Sequence, residues 1–105
     1  MIAITGSILA RPETFDELLR LSLEHTQRSR GEPGCQLHSV HVDAENRLRL
    51  VFLEQWADQK SVLTHFAVPA SREFVAQVGK LAASAPEIRI YRSDEVSLAE
   101  FTARS

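Results

Sequence analysis

The stretch Leu50-Val51-Phe52-Leu53-Glu54-Gln55-Trp56-Ala57-Asp58-Gln59-Lys60-Ser61-Val62-Leu63-Thr64-His65 decides the fold, because one periodicity gives way to another inside it. Its first half is a short run of β-branched, aromatic and aliphatic residues, which favours a pleated strand. The run breaks at Trp56-Ala57-Asp58, and Asp58 is suited to cap a helix, since its carboxylate accepts the unpaired amide protons of a first turn. Val62 and Phe66 then fall one helical turn apart, with Leu63 alongside. Strand side chains alternate, so Phe52, Glu54 and Trp56 leave one face. A helix folding back over that face brings His65 towards them, with Phe66 beside it. The expected site is therefore one cavity sharing an acid (Glu54), an indole (Trp56) and an imidazole (His65), walled by Phe52 and Phe66.

Outward from this corner the chain is regular. Ile2, Ile4, Gly6, Ile8 and Ala10 alternate with Ala3, Thr5, Ser7 and Leu9, so a strand opens the sequence. Pro12 suits a helix start, and Thr14-Phe15-Asp16-Glu17 has capping-box spacing. Phe15, Leu18, Leu19 and Leu23 mark a helical stripe, which Gly31-Glu32-Pro33-Gly34 ends. Cys35 to Val42 alternates again, with Cys35, Leu37, Ser39 and His41 on one face and His38, Val40 and Val42 on the other. Asp43-Ala44-Glu45-Asn46 is of hairpin length, and Arg47 to Trp56 is the returning strand. Beyond His65, Val68-Pro69 breaks the chain. Phe74, Val75, Val78, Leu81 and Ala82 mark another amphipathic helix, and Glu87 to Arg92 reads as the last strand. The expected fold class is α+β, a ferredoxin-like split β-α-β antiparallel sheet with helices on one face. Its other face would be bare, and two such faces apposed form a dimeric α+β barrel, so a homodimer is expected.

Composition narrows the function. The 105 residues suffice for a single domain, with a core over about 2–92 and a C-terminal tail over 93–105. A formal net charge of −2 leaves no basic footprint for nucleic acid. No apolar run reaches the ~20 residues of a membrane span, and there is no signal-peptide pattern. A lone cysteine, Cys35, fits a cytoplasmic location and is expected to be a buried, inert hydrophobe. The four glycines, Gly6, Gly31, Gly34 and Gly79, form no phosphate loop or dinucleotide fingerprint. His38 and His41 point apart on their strand, and no His/Cys set has ligand spacing, so neither metal nor cofactor is expected.

Glu32-Pro33-Gly34-Cys35, the strand pair after it, Glu54-Gln55-Trp56-Ala57-Asp58, His65, Pro69 and Phe74 together resemble the antibiotic biosynthesis monooxygenase domain, over Ile2 to about Tyr91. The resemblance implies a dimeric α+β barrel and, as activity, a cofactor-independent monooxygenation of a small aromatic or quinol substrate by molecular oxygen. His65 would be the base, Glu54 an orienting acid and Trp56 the floor under a flat ring. His38 stands where many members carry a tyrosine, and is expected to touch substrate. Ala70 stands where many carry a second histidine. Haem-degrading relatives use an asparagine on the first strand, a tryptophan at position 65 and a histidine near Val75. None of these is present, which disfavours haem degradation. Two other readings fit the same residues: an isomerase of a small hydroxyketone signal, and a non-enzymatic metabolite-binding dimeric module.

Overall fold

The computed structural model describes residues 1–103; the last two residues of the tail expected over 93–105 lie outside it. The elements run β1 (Ile2–Leu9), α1 (Phe15–Ser29), β2 (Cys35–Asp43), β3 (Asn46–Trp56), α2 (Gln59–Ala67), α3 (Pro69–Leu81), β4 (Glu87–Arg92) and α4 (Leu98–Thr102). The strands form one open sheet in the order β2-β3-β1-β4, every neighbouring pair antiparallel. This is the ferredoxin-like α+β arrangement expected of the sequence, with α1, α2 and α3 on one face.

Register fixes which side chains meet the helices. Ile2, Ile4, Gly6 and Ile8 of β1 lie opposite Trp56, Glu54, Phe52 and Leu50 of β3. His38, Val40 and Val42 of β2 lie opposite Glu54, Phe52 and Leu50. One core cluster joins Ile8, Ala10, Leu18, Leu50, Phe52 and Val78; a second joins Ile2, Ile4, Trp56 and Val62, with Cys35 against it. On β3, Phe52 belongs to the first and Trp56 to the second. Glu54 shares their face between them, so a carboxylate stands where the two apolar clusters part.

Three local expectations need correction. The alternation places Cys35 and His38 on opposite faces, yet Cys35 lies opposite Trp56 and packs in the helix-covered core. The ladder slips between Cys35 and Leu37, and the extra residue of such a bulge reverses the faces behind it. Thr14 does not cap α1 with its side chain; its hydroxyl donates to the Leu81 carbonyl at 2.8 Å, tying the start of α1 to the end of α3. Leu23 is exposed, and the second half of α1 turns Ser22, His25, Thr26 and Ser29 inward instead. Asp58, by contrast, caps α2 as expected, accepting from the Ser61 amide at 2.8 Å.

The turn before β2 is held to the β3–α2 corner by the Ala57 amide, which donates to the Gly34 carbonyl at 2.8 Å. Gly34 has φ +81°, and a Cβ there would collide with the Ser61 side chain in the first turn of α2. The left-handed backbone costs any other residue about 1–2 kcal/mol, and the collision adds to it. Gly34→Ala should therefore lower unfolding free energy by about 2–3 kcal/mol in a urea titration. Gly79→Ala, with no atom within 4 Å of its added Cβ, should lose no stability in the same titration.

Candidate active site

The corner between β3, α1, α2 and α3 holds three imidazoles. His25 comes from the inward stripe of α1, His38 from β2 and His65 from the last turn of α2. All three are buried, and their rings contact one another with centroids 5.2–5.7 Å apart. Each ring has a fixed partner at Nδ1. His65 Nδ1 lies 2.7 Å from Glu32 Oε1, His38 Nδ1 lies 3.1 Å from Thr26 Oγ1, and His25 Nδ1 lies 2.8 Å from an Arg28 guanidinium nitrogen.

These partners decide where the protons sit. Glu32 only accepts, so His65 donates Nδ1–H and keeps its lone pair on Nε2. Arg28 only donates, so His25 accepts at Nδ1 and carries its proton on Nε2. His38 Nε2 faces Glu54 Oε1 at 3.4 Å, too long and too poorly aligned for a hydrogen bond but close enough for the carboxylate to favour a proton there. The Thr26 hydroxyl then donates to His38 Nδ1. Burial, reinforced by His38, His65 and Arg28, pushes the His25 pKa down to about 3. Burial, with His65, Arg30 and Arg28, pushes that of His38 down to about 4. Both rings are neutral at pH 7.

Glu54 is nearly enclosed, and burial raises its pKa, opposed by a hydrogen bond from Trp56 Nε1, which donates to Oε1 at 2.9 Å. The carboxylate partner of His65 is thus Glu32 of the Glu-Pro-Gly-Cys segment, and Glu54 is partnered by Trp56. Nor does Glu54 pair with Arg47 or Arg49; Arg49 reaches Asp43 and Ser7.

A cavity of about 660 Å³ opens between sheet and helices. His65, Glu54, Phe52 and Phe66 line it, as expected, and so do His25 and Phe74. Trp56 and His38 do not; they stand one layer behind, Trp56 against the His65 ring at 4.6 Å and His38 edge-on to both Phe52 and Trp56. The aromatic rings at the cavity wall are instead those of Phe52 and Phe74, 6.1 Å apart. His25 and Glu32 escaped the sequence reading as site residues. The signal for His25 was the run Leu18, Ser22, His25, Ser29, which keeps helical spacing on one face although its later members are polar.

One ring nitrogen from each histidine lies within 4.8 Å of the others, so the fold assembles a cluster that no local spacing announced. A three-histidine metal centre needs three lone pairs, each backed by a hydrogen-bond acceptor on the far nitrogen. Glu32 meets that requirement for His65; Arg28, a pure donor, fails it for His25. The donor set does not fit a three-histidine metal ion.

Cys35 is half-buried against Ile2, Ile4, Trp56 and Val62 and lines no part of the cavity. Burial first, then Glu54 and Glu32, raise its thiol pKa, so thiolate is suppressed at neutrality. Cys35→Ser should leave turnover within about twofold while costing about 1 kcal/mol of stability, read by kinetics and urea unfolding of one preparation. Lost turnover at unchanged stability would assign the thiol a chemical role.

A split β-α-β sheet covering a buried acid–imidazole cavity defines the class, and comparison with known proteins gives the family. Residues 1–77 match the family model described as antibiotic biosynthesis monooxygenase, and the chain belongs to that family. Over 94 residues it is 33% identical to the uncharacterized protein sll1783 of Synechocystis, covering 90% of this chain and 64% of that one. It thus spans under two thirds of that relative's length. Among solved structures, a Deinococcus radiodurans protein provisionally assigned to the same monooxygenases superposes with a TM-score of 0.88 at 24% identity, covering 92% of this chain and 96% of that one. Rv0793 from Mycobacterium tuberculosis gives 0.85 at 24%, covering 91% and 98%. A conserved Methanosarcina mazei protein gives 0.84 at 26%, covering 89% and 92%.

Proposed function

We propose that the chain is a cofactor-independent monooxygenase oxidising a small phenolic or quinol substrate with molecular oxygen. The observation that carries this reading is His65, held by Glu32 from behind, at the wall of an apolar cavity large enough for a two-ring aromatic. His65 Nε2 removes the phenolic proton, and Glu32 stabilises the imidazolium that results. The electron-rich phenolate transfers one electron to oxygen, and the radical pair joins into a C–O bond. The peroxide anion takes the proton back from His65, and the hydroperoxide so formed loses water to leave a carbonyl, so a ring C–H, the phenolic O–H and one O₂ become two C=O groups and one H₂O. Phe52 and Phe74 hold the flat ring, and Glu54 borders it. Oxygen uptake with a panel of naphthohydroquinones, and one ¹⁸O atom from ¹⁸O₂ in the product, tests the reading. Turnover of the panel without oxygen consumption would overturn it.

We also propose a single cytoplasmic domain that works as a homodimer. Apolar Leu37, Val51, Leu53 and Tyr91 share the helix-free sheet face with Thr5, Ser7 and Arg89, and Leu98 and Phe101 of α4 are exposed. Light scattering at micromolar concentration should give about twice the 11.8 kDa chain mass, and Leu53→Glu should return it to the monomer value. A monomeric mass for the unaltered chain would rule the dimer out.

A further inference from the structure

From the geometry we infer that His25 is a second catalytic residue: an N–H donor aimed at the same substrate oxygen that His65 deprotonates. The inference rests on the proposed phenol chemistry and adds to it the means by which the phenolate is held. Nothing in the expected machinery accounts for a histidine at this place in α1. It is nevertheless buried, lines the cavity beside His65 and Glu54, and is stacked on Phe74 at 4.2 Å with planes only 9° apart.

Three features suit it to that task. Arg28 occupies Nδ1, so the free nitrogen of His25 bears hydrogen, the opposite polarity to the free nitrogen of His65. The two rings are therefore a donor and an acceptor on one cavity wall. Two hydrogen bonds of about 2.8 Å to a common oxygen can span up to about 5.6 Å between nitrogens. One ring nitrogen of His25 lies within 4.8 Å of one of His65, a spacing that a single oxygen can bridge. As His65 takes the proton, charge gathers on that oxygen, and a fixed donor in a largely apolar cavity stabilises it there. A neutral imidazole serves better than a charged one, because it gives up its single N–H to no competing base and raises no barrier to forming a second, positive imidazole beside it. The low pKa of His25 keeps it in that form.

The substrate class that follows has an acidic O–H on a flat conjugated frame, a phenol or enol, with its oxygen at the imidazole pair and its ring along Phe52 and Phe74. Arg28 is then a positioning residue that acts through the tautomer of His25.

The probe is 4-nitrophenol, whose ionised form is seen directly by absorbance, titrated into the full chain between pH 5 and 8. We expect binding with the phenol pKa lowered relative to free solution. His25→Phe, which preserves the stacking on Phe74 but has no N–H, should raise the bound pKa by at least about one unit. It should also lower kcat for the quinol by about 10²-fold with little change in KM. His25→Gln, which keeps a donor at the same reach, should restore much of both. Arg28→Met should fall between, with a melting temperature unlike that of a general packing defect. Equal bound pKa in the native protein and His25→Phe overturns the inference, as does absence of 4-nitrophenol binding at millimolar concentration. So does tight one-to-one Zn²⁺ binding that needs His25, since it requires a lone pair where the inference places a proton. A His25-dependent bound pKa without oxygen uptake on any quinol leaves this inference standing and overturns the monooxygenase reading instead.

Discussion

Oxygen uptake by His65→Gln is expected to fall by about 10²- to 10⁴-fold, the usual contribution of a positioned general base. Glutamine can still donate from its amide to Glu32 Oε1, so the buried carboxylate keeps a partner, but it has no basic nitrogen to offer the cavity. Alanine is the poorer test. It removes the ring that packs on Trp56 at 4.6 Å and leaves Glu32, whose Oε2 already has no partner, with Oε1 unpaired as well. A buried acceptor stripped of its donor costs about 1–3 kcal/mol, so lost activity and lost stability would be confounded. Melting of His65→Gln should stay close to that of the unaltered protein. Glu32→Gln should cost less in rate than His65→Gln, because it disturbs orientation and charge while the base remains. Uptake by His65→Gln within threefold of native, at unchanged stability, would remove His65 from the chemistry.

Much of this arrangement was legible in the residues. The alternation of Ile2, Ile4, Gly6 and Ile8, the hairpin at Asp43–Asn46 and the Asp58 cap are local signals, and local physics placed the strands and α2 as they stand. The shared face of Phe52, Glu54 and Trp56 follows from the strand period, and the return of His65 over it from a helix starting at the cap. What stayed hidden was non-local or locally inconsistent. The bulge around Gln36 leaves no trace in a period of two, so Cys35 was assigned to the wrong face. The pairing of Glu32 with His65 joins residues 33 apart through a loop, where no spacing rule operates. Trp56 shares the face of Glu54 but is fully covered by its neighbours. A face assignment says which way a side chain leaves the sheet, and it is silent about depth. His25 was missed for a different reason: a polar residue on an inward stripe looks like the end of the stripe unless the site needs it.

Acid should weaken the protein already between about pH 6.5 and 5, above the range in which ordinary carboxylates titrate, and the same histidines are the cause. In the unfolded chain an imidazole titrates near 6.5, whereas folding holds His25 at about 3 and His38 at about 4. A depressed folded value means that the unfolded state binds the extra proton, so stability is complete above pH 6.5 and drains away as pH falls. Between 6.5 and 4 each ring costs about 1.4 kcal/mol per pH unit, hence about 5 kcal/mol for the pair at pH 4.5. That equals the low end of the ~5–15 kcal/mol by which small domains are stable. Of the charged groups facing the cluster, Glu54 tempers this slope and the arginines maintain it. Glu54, whose pKa burial raises, takes up a proton more readily when folded and so gains stability in acid. The guanidinium groups of Arg28 and Arg30 oppose any charging of the rings, while Glu32 is already committed to His65. Urea unfolding at pH 7, 6 and 5 should therefore show stability falling by about 2–3 kcal/mol per unit below pH 6. In His25→Phe, with one of the two buried rings gone, that slope should drop by about half, whatever the substitution does to stability at pH 7. A native slope below about 1 kcal/mol per unit, or one that His25→Phe leaves unchanged, would mean that the rings charge freely in the folded state. They would then not be the dry, neutral pair on which both the proton map and the phenolate site depend.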